Sequence, residues 1–357
     1  MKTRVAVIFG GKSVEHEVSI ISGLQAFAAL DRAKYEAVPL YIAKDGKWYT
    51  GEHMGDIESY KDMKDCLKRA VRVVPTSGEK GGADLLRWPP KRFGRNVVGS
   101  FDVALPVVHG TNVEDGTLSG YLETLGVPYA ACDVTSSALG MDKYQMKGAL
   151  RQAGIPVLEA VQFTGREYTA DPESLVNRVE AACAYPVIVK PDNGCGAEAT
   201  YKLRNFTELK EFYAEPHNVR YIMEEYINGT IVSFDGVADS HCVPLFYTSN
   251  VFPTPLLDIV SQNGDLSYWT QKSVPAALKD VGFRTIKAFG AKSRFFHCEF
   301  FRLNEDKPGL GKKGDYVALE VNMRPAGGYT PDMINYANSV DCYQIWADMV
   351  CYDELRH

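Results

Sequence analysis

The segment Glu320-Val321-Asn322-Met323-Arg324, with Glu299 one hairpin earlier, is the most informative part of the chain. Residues 295–302 and 316–323 are rich in apolar and aromatic side chains, which is typical of β-strands. Residues 304–314, between them, contain several glycines and a proline and therefore predict a hairpin loop.

This hairpin places hard oxygen atoms together. Side chains alternate faces along a strand, so Glu320 and Asn322 point the same way. A register with Glu299 opposite them would gather three oxygen ligands, the kind that Mg²⁺ takes together with phosphate oxygens. Arg324, two residues further on, offers a planar fork to a carboxylate or a phosphate. The alternative is an amphipathic hairpin whose acids are only solvated.

Composition narrows the class of protein. At 357 residues the chain predicts two or three domains, and 45% hydrophobic with 24% charged residues is ordinary for a globular enzyme. A net charge of −6 gives no basic surface for nucleic acid, and no apolar run reaches the length of a membrane span. The eight cysteines are scattered without a C-x-x-C pair, which argues against zinc and favours free thiols in a reducing cytoplasm.

The N-terminus predicts the opening of an α/β domain. Residues 4–9 form an apolar run that ends in Gly10-Gly11, and residues 18–30 have helical periodicity. Glu15, in the turn between them, could hold a substrate ammonium group or could simply cap the helix. The segment lacks G-x-G-x-x-G, so a dinucleotide site is not supported. For residues 51–99 we expect a helix and surface loops.

The middle of the chain carries candidate nucleotide-binding residues. A strand at residues 185–190 ends in Lys190 and runs into a loop with Gly194, Cys195 and Gly196, whose backbone N–H groups could bind phosphate. Lys143, at the start of a helix near Asp142, is a second phosphate candidate. The alternative for Lys190 is a lysine that snorkels to solvent.

A following strand, residues 220–226, offers apolar surface for a purine and hydrogen-bond acceptors for its amino group. Its candidates are Glu224, Glu225 and Ile227, and the alternative is a half-buried strand end. Residues 251–270 are rich in turn formers and are predicted to form a lid.

Together these segments resemble the ATP-grasp superfamily, and the first 160 residues resemble the D-alanine–D-alanine ligase family. The resemblance is carried by the 10–23 segment, by His109-Gly110-Thr111-Asn112-Val113-Glu114-Asp115-Gly116 and by the 137–143 segment that ends in Met141-Asp142-Lys143. It implies an α/β fold of three domains: residues 1–135, residues 136–228 with the glycine loop, and residues 229–357 with the metal site. ATP would bind between the second and third domains.

The same resemblance implies roles for individual residues. Glu15 matches the glutamate that contacts the amino group of the first substrate, and Lys143 and Lys190 match the lysines that bind the ATP phosphates. Glu224 matches an adenine-binding acid. The metal ligands of the family correspond to three residues: Glu299, Glu320 and Asn322.

The second half of the chain departs from the ligase pattern. Cys195 and Gly196 replace adjacent serines, and His297 replaces an arginine two residues before the first metal acid. Arg324-Pro325-Ala326-Gly327-Gly328 replaces a short Thr/Ser-Pro-Gly stretch and resembles L-amino acid ligases, while E-x-N-x-R also occurs in carbamoyl-phosphate synthetase and biotin carboxylase.

The resulting expectation is a carboxylate–amine ligase that uses ATP and Mg²⁺, or Mn²⁺, and acts through an acyl phosphate. Arg324 and the amides of Gly327 and Gly328 would polarise the acyl oxygen. We expect small amino acid, carboxylate and amine substrates, a cytoplasmic location, no nucleic-acid or membrane partner, and a homodimer as one option. The alternatives are an L-amino acid or dipeptide ligase, another ATP-grasp ligase, or a nucleotide-binding regulatory protein without turnover.

Overall fold

The computed structural model describes residues 2–79, 81–193, 199–215, 219–254, 265 and 267–356. This part of the chain forms sheets of seven, four and six strands in chain order. Each sheet lies within one of the three expected domains, whose exact bounds remain a proposal. No helix among these residues is both long enough and apolar enough to cross a bilayer.

The first sheet has the strand order β6-β5-β4-β3-β2-β1-β7, with β1 parallel to both β2 and β7. Its strands are β1 Thr3–Gly10, β2 Tyr35–Ile42, β3 Trp48–Thr50, β4 Val71–Ser77, β5 Ala83–Arg87, β6 Val97–Phe101 and β7 Val103–Pro106. The helices of this region are α1 His16–Ala29, α2 Met63–Arg69 and α3 Thr117–Leu125. The predicted strand, glycine turn and helix at the N-terminus are confirmed.

The expectation for residues 51–99 was wrong in part. Besides α2 and two 3₁₀ turns, this region contains β4, β5 and most of β6, which extend the sheet from β3 by antiparallel pairing. Only one side of this extension is well covered: Val73 and Leu85 are buried, while neighbouring charged and polar positions are accessible. Charged residues stand between the buried ones along these strands, and for that reason the alternation typical of β-strands was not recognised in the sequence.

The second sheet has the order β10-β9-β11-β8, and every pairing in it is antiparallel. The elements of this region are α4 Val134–Met141, α5 Lys143–Gln152, β8 Ala160–Phe163, α6 Gly165–Ala170, α7 Pro172–Ala182, β9 Val187–Pro191, β10 Tyr201–Leu203, α8 Phe206–Ala214 and β11 Tyr221–Glu225. Val187 and Val189 enter the hydrophobic core of this region. Strand alternation therefore turns Ile188 and Lys190 to the opposite face.

The third sheet has the order β15-β14-β12-β16-β17, with β13 also paired to β12. The elements are β12 Gly229–Ala238, β13 Pro244–Thr248, β14 Asn250–Phe252, β15 Trp269–Thr270, α9 Ala276–Ala288, β16 Arg294–Leu303, β17 Tyr316–Asn322, α10 Thr330–Asn338 and α11 Cys342–Tyr352. The predicted hairpin is confirmed as β16 and β17. Residues 255–264 and 266, most of the predicted lid, lie outside the described residues.

The two faces of β16 serve different purposes. Phe296, Cys298 and Phe300 are fully buried in a core shared with α9. Phe295 lies on the other face and packs edge-on against Trp346 of α11, with ring centroids 5.9 Å apart. His297 and Glu299 share that second face by alternation, so the strand that anchors the domain also aims polar groups at a neighbouring cavity.

Candidate active site

A cavity of about 390 Å³ lies where the three sheets meet. Most of the predicted site residues line it: Glu15, Lys143, Lys190, Glu224, Glu225, Ile227, Glu299, Glu320, Asn322, Arg324 and Gly327. Gly194, Cys195 and Gly196 fall outside the described residues. Gly328 is not part of the cavity wall and has φ +66° in the following turn.

The predicted oxygen ligands share one side of the β16–β17 hairpin. Glu299 lies directly opposite Glu320, and His297 lies opposite Asn322. Nζ of Lys143 is 3.7 Å from Oε1 of Glu320. Burial raises the pKa of Glu320, but Lys143, Lys190 and Arg324 together outweigh burial and lower that pKa, so the carboxylate is ionised.

The chemistry of this donor set fits a hard divalent cation. Across the described ranges, no three His, Cys, Asp or Glu side chains converge in a group that could hold a metal by themselves. Two carboxylates and the Asn322 amide oxygen instead form a partial set, which suits Mg²⁺ because that ion usually completes its shell with water and phosphate oxygens.

The start of α5 positions Lys143. Asp142 caps this helix by accepting a hydrogen bond from the Gln145 N–H, and its carboxylate also pairs with Arg220 at 2.8 Å. The backbone N–H of Lys143 donates to the carbonyl of Asp192 at 3.2 Å. These bonds hold the first turn of α5 against the end of β9, beside Lys190.

Glu224 lies between two lysines. One of its oxygens pairs with Lys190, and the other is 2.6 Å from Nζ of Lys147. Lys147 was missed by the sequence reasoning, although it stands four residues after Lys143 and therefore on the same face of α5. Burial raises the pKa of Glu224, but the two lysines outweigh burial and lower it to about 2.

The neighbouring part of the cavity wall is apolar. It is formed by Leu158, Ile188, Ile227, Ile231, Phe301 and Leu319. The Glu225 carboxylate forms an ion pair with Lys307 of the hairpin loop, so this side chain connects the second and third sheets. An apolar slot of this kind beside Glu224 has the character of a purine site, with the lysines at its phosphate end.

The opposite end of the cavity is built around Arg324. Nε of Arg324 is 2.7 Å from Oε1 of Glu114, whose second oxygen accepts a hydrogen bond from the Gly110 N–H at 2.8 Å. Burial lowers the pKa of Arg324, but Glu114 and Glu15 more than compensate and raise it above its usual value. Glu114 had no predicted role, although the motif that contains it was recognised.

His109 and Gly327 complete this end of the cavity. His109 is buried, and burial, with Arg324 and His297 nearby, holds its pKa well below the usual value. Its Nε2 atom has no hydrogen-bond partner among the described residues. A Cβ atom on Gly327 would lie 2.8 Å from Cγ1 of Val18, so only glycine fits this wall without displacement. The neutral imidazole therefore has a free position for a ligand's polar group.

Comparison with known proteins gives a consistent assignment. A family model described as "D-ala D-ala ligase N-terminus" matches residues 4–132, and one described as "ATP-grasp domain" matches residues 141–263. The D-alanine–D-alanine ligase of Geobacillus thermodenitrificans is 30% identical over 340 residues, which cover 93% of this chain and 88% of that relative. The chain belongs to the D-alanine–D-alanine ligase family.

Solved structures agree with this membership. The VanG D-Ala:D-Ser ligase from Enterococcus faecalis matches with a TM-score of 0.75 and 26% identity, covering 98% of this chain and 99% of that one. The D-alanine–D-alanine ligase of Coxiella burnetii shares the fold, with a TM-score of 0.73 and 23% identity. The match covers 99% of this chain and 96% of that one. The predicted three-domain ATP-grasp architecture is confirmed, and this family member is an ATP-dependent carboxylate–amine ligase that acts on small molecules.

Proposed function

We propose that this family member activates the carboxylate of an amino acid as an acyl phosphate, with the assistance of Mg²⁺ or Mn²⁺. The observation that carries the proposal is the convergence of Glu299, Glu320 and Asn322 with Lys143 and Lys190 in one cavity. Oxygen ligands beside two lysines form a site for a nucleoside triphosphate and its divalent cation.

The reaction has two transfers. A carboxylate oxygen of the first substrate attacks the γ-phosphorus, so ADP leaves and an acyl phosphate forms. An amine then attacks the acyl carbon, phosphate leaves, and the amine nitrogen loses a proton. Lys143 and Lys190 offset charge on the phosphates, and Arg324 with the Gly327 N–H stabilises the acyl oxygen as it gains charge.

The metal proposal rests on the chemistry of the ligands. Glu299 and Glu320 are directly paired across the hairpin, and Asn322 follows on the same strand face. These residues would hold the cation, whose positive charge would offset the negative charge of the phosphates and so reduce their repulsion of the attacking carboxylate. Mn²⁺ accepts the same oxygen ligands.

The far end of the cavity supports an α-amino acid as first substrate. Glu15 and Glu114 supply carboxylates for an ammonium group, and Arg324 supplies a guanidinium for a carboxylate or acyl phosphate. Within the described ranges, Nε2 of His109 has no hydrogen-bond partner. D-Alanine is the leading candidate because the curated relatives are D-alanine–D-alanine ligases. A cytoplasmic location is supported by the need for ATP and by the seven free cysteines among the described residues. Homodimerisation stays a prediction.

An ADP-release assay tests this function. D- and L-amino acids are supplied singly and in pairs with ATP and Mg²⁺, and products of active pairs are identified by mass spectrometry. The expected result is ADP release that depends on an amino acid, with one molecule of condensed product formed for each ADP released. ADP release with D-alanine but no dipeptide, together with a product from another pair, would overturn D-alanine as substrate. No ADP release with any pair would overturn the ligase function.

A further inference from the structure

In the Lys147–Glu224–Lys190 cluster, two lysines surround a single carboxylate. The exposed fractions of the three residues are 2%, 3% and 8%, respectively. Lys190 pairs with Oε1 of Glu224, while Lys147 is 2.6 Å from Oε2. Each carboxylate oxygen therefore has its own lysine, and the buried group carries one excess positive charge.

The contact between Lys190 and Glu224 must break if both residues are to bind ATP as predicted. Lys190 is the candidate phosphate ligand and Glu224 the candidate acceptor for the adenine amino group, yet here they bind each other. When Lys190 turns to a phosphate, Glu224 loses one of its two cations. A buried carboxylate without a partner is strongly unfavourable, so such a movement requires a second cation that stays.

Lys147 is placed to be that second cation. It projects from α5, whereas Lys190 projects from β9, so the two lysines approach Glu224 from different elements. Lys147 is enclosed on all sides and does not line the cavity, whereas Lys190 does. Other charged or titratable groups around the cluster include Arg151 on α5, Cys183 after α7, Glu225 on β11 and Glu320 on β17, whose charge interacts with that of Lys190. Among the residues that the structure describes, only Lys147 and Lys190 form ion pairs with the Glu224 carboxylate.

We infer that Lys147 is a positioning residue for ATP: it keeps Glu224 ionised and in place while Lys190 moves from Glu224 to the phosphates. The exchange frees Oε1 of Glu224 to accept a hydrogen bond from the adenine amino group. The inference rests on the proposed role of the cavity as the ATP site. It assigns Lys147 no contact with ATP, which distinguishes it from Lys143 and Lys190.

A double-mutant cycle tests the inference by direct measurement of ATP binding, using titration calorimetry on the full chain without amino acids. The variants are K147M, E224Q and K147M/E224Q, with R151M as a control on the same helix, since Arg151 is half exposed. Thermal unfolding of each protein without ATP reports whether it is folded.

We expect K147M to weaken ATP binding by about tenfold or more, because Lys190 is then retained by an otherwise unpaired Glu224. In the E224Q background, replacing Lys147 with methionine should weaken ATP binding by less than about threefold, because no buried carboxylate then needs a partner. K147R should retain most of the affinity, and R151M all of it.

An equal loss of affinity from K147M in both backgrounds would overturn the inference, because Lys147 would then act independently of Glu224. So would unchanged affinity in K147M. If K147M is too unstable to assay, K147Q, which also removes the charge, is measured in the two backgrounds instead: a loss of ATP affinity present only with Glu224 supports the inference, and an equal loss or no loss in both backgrounds overturns it. A wild-type protein that does not bind ATP would overturn the proposed function itself.

Discussion

Nδ1 of His297 lies 2.5 Å from Oδ1 of Asp235, across the pairing of β12 with β16. Asp235 is fully buried and also accepts hydrogen bonds from Ser233 and from Asn250, the latter at 3.0 Å. Burial lowers the pKa of His297, but Asp235 and Glu299 outweigh burial and raise it to about 10. His297 is therefore positively charged, as is the arginine expected at this position from the ligase pattern, and the Asp235 carboxylate stabilises that charge.

Replacing Asp235 with asparagine should lower kcat/KM about tenfold, because the His297 ring loses the carboxylate that orients it. Its Nε2 atom, 3.3 Å from Oε1 of Glu299, would then be less well placed. The measurement is amino-acid-dependent ADP release over a range of substrate concentrations. D280N, at an exposed aspartate on α9, is the matched control. Equal kcat/KM for D235N and D280N would show that Asp235 does not act through His297.

Replacing Glu320 with glutamine should reduce ADP formation by about a hundredfold or more, because a charged metal ligand is lost from a site that must offset phosphate charge. The loss should be only partly recovered at high Mg²⁺. E211Q, on the exposed surface of α8, should behave as wild type. Steady-state rates across a Mg²⁺ titration make the comparison, with circular dichroism to verify folding. Near-normal activity of E320Q at every Mg²⁺ concentration would remove Glu320 from the metal site.

Replacing Lys190 with alanine should raise the KM for ATP and slow phosphoryl transfer, each by about tenfold or more, because a charge-assisted contact to the phosphates is lost. The fold should survive, since Lys147 still pairs with Glu224. K210A, on the exposed face of α8, controls for the loss of a lysine. Single-turnover rates with saturating ATP separate binding from transfer. Unchanged ATP affinity and rate would reduce Lys190 to an internal partner of Glu224.

Replacing Gly327 with alanine should lower kcat about tenfold with a smaller effect on thermal stability, because the new methyl group would lie 2.8 Å from Val18 and narrow the cavity beside His109. G148A is the matched control: Gly148 lies within α5, and its Cβ position meets open space, so alanine there should be neutral or stabilising. Melting temperature and kcat are measured for both variants. A fully active G327A would show that this wall does not contact the acyl group.

The parts of the site that follow local rules were predictable from sequence. Alternation along β16 and β17 predicted that Glu320 and Asn322 share a face, and the hairpin allowed a register with Glu299 opposite them; the structure has Glu299 opposite Glu320. Lys147 could have been found by the same kind of rule, since it follows Lys143 by one helical turn. Its significance becomes clear only when β11 brings Glu224 between the lysines.

Other features depend on contacts between distant segments. Asp235 is the one charged residue of β12, and nothing nearby in sequence indicates that His297, 62 positions away, is its partner. Arg324 was predicted to bind a substrate anion, but its present partner, Glu114, comes from the distant segment between β7 and α3. The roles of the predicted residues stay predictions, and those of Gly194, Cys195 and Gly196 concern residues outside the described structure.

Activation of the carboxylate by transfer of the γ-phosphoryl group is tested most directly by oxygen tracing. The first amino acid substrate, labelled with ¹⁸O in its carboxylate, is incubated with enzyme, ATP, Mg²⁺ and the amine substrate. The released phosphate is then examined by ³¹P NMR or mass spectrometry. An acyl phosphate intermediate predicts one ¹⁸O atom in each phosphate released per molecule of product. Product formation with ¹⁸O in AMP, or with no label in phosphate, would contradict the account.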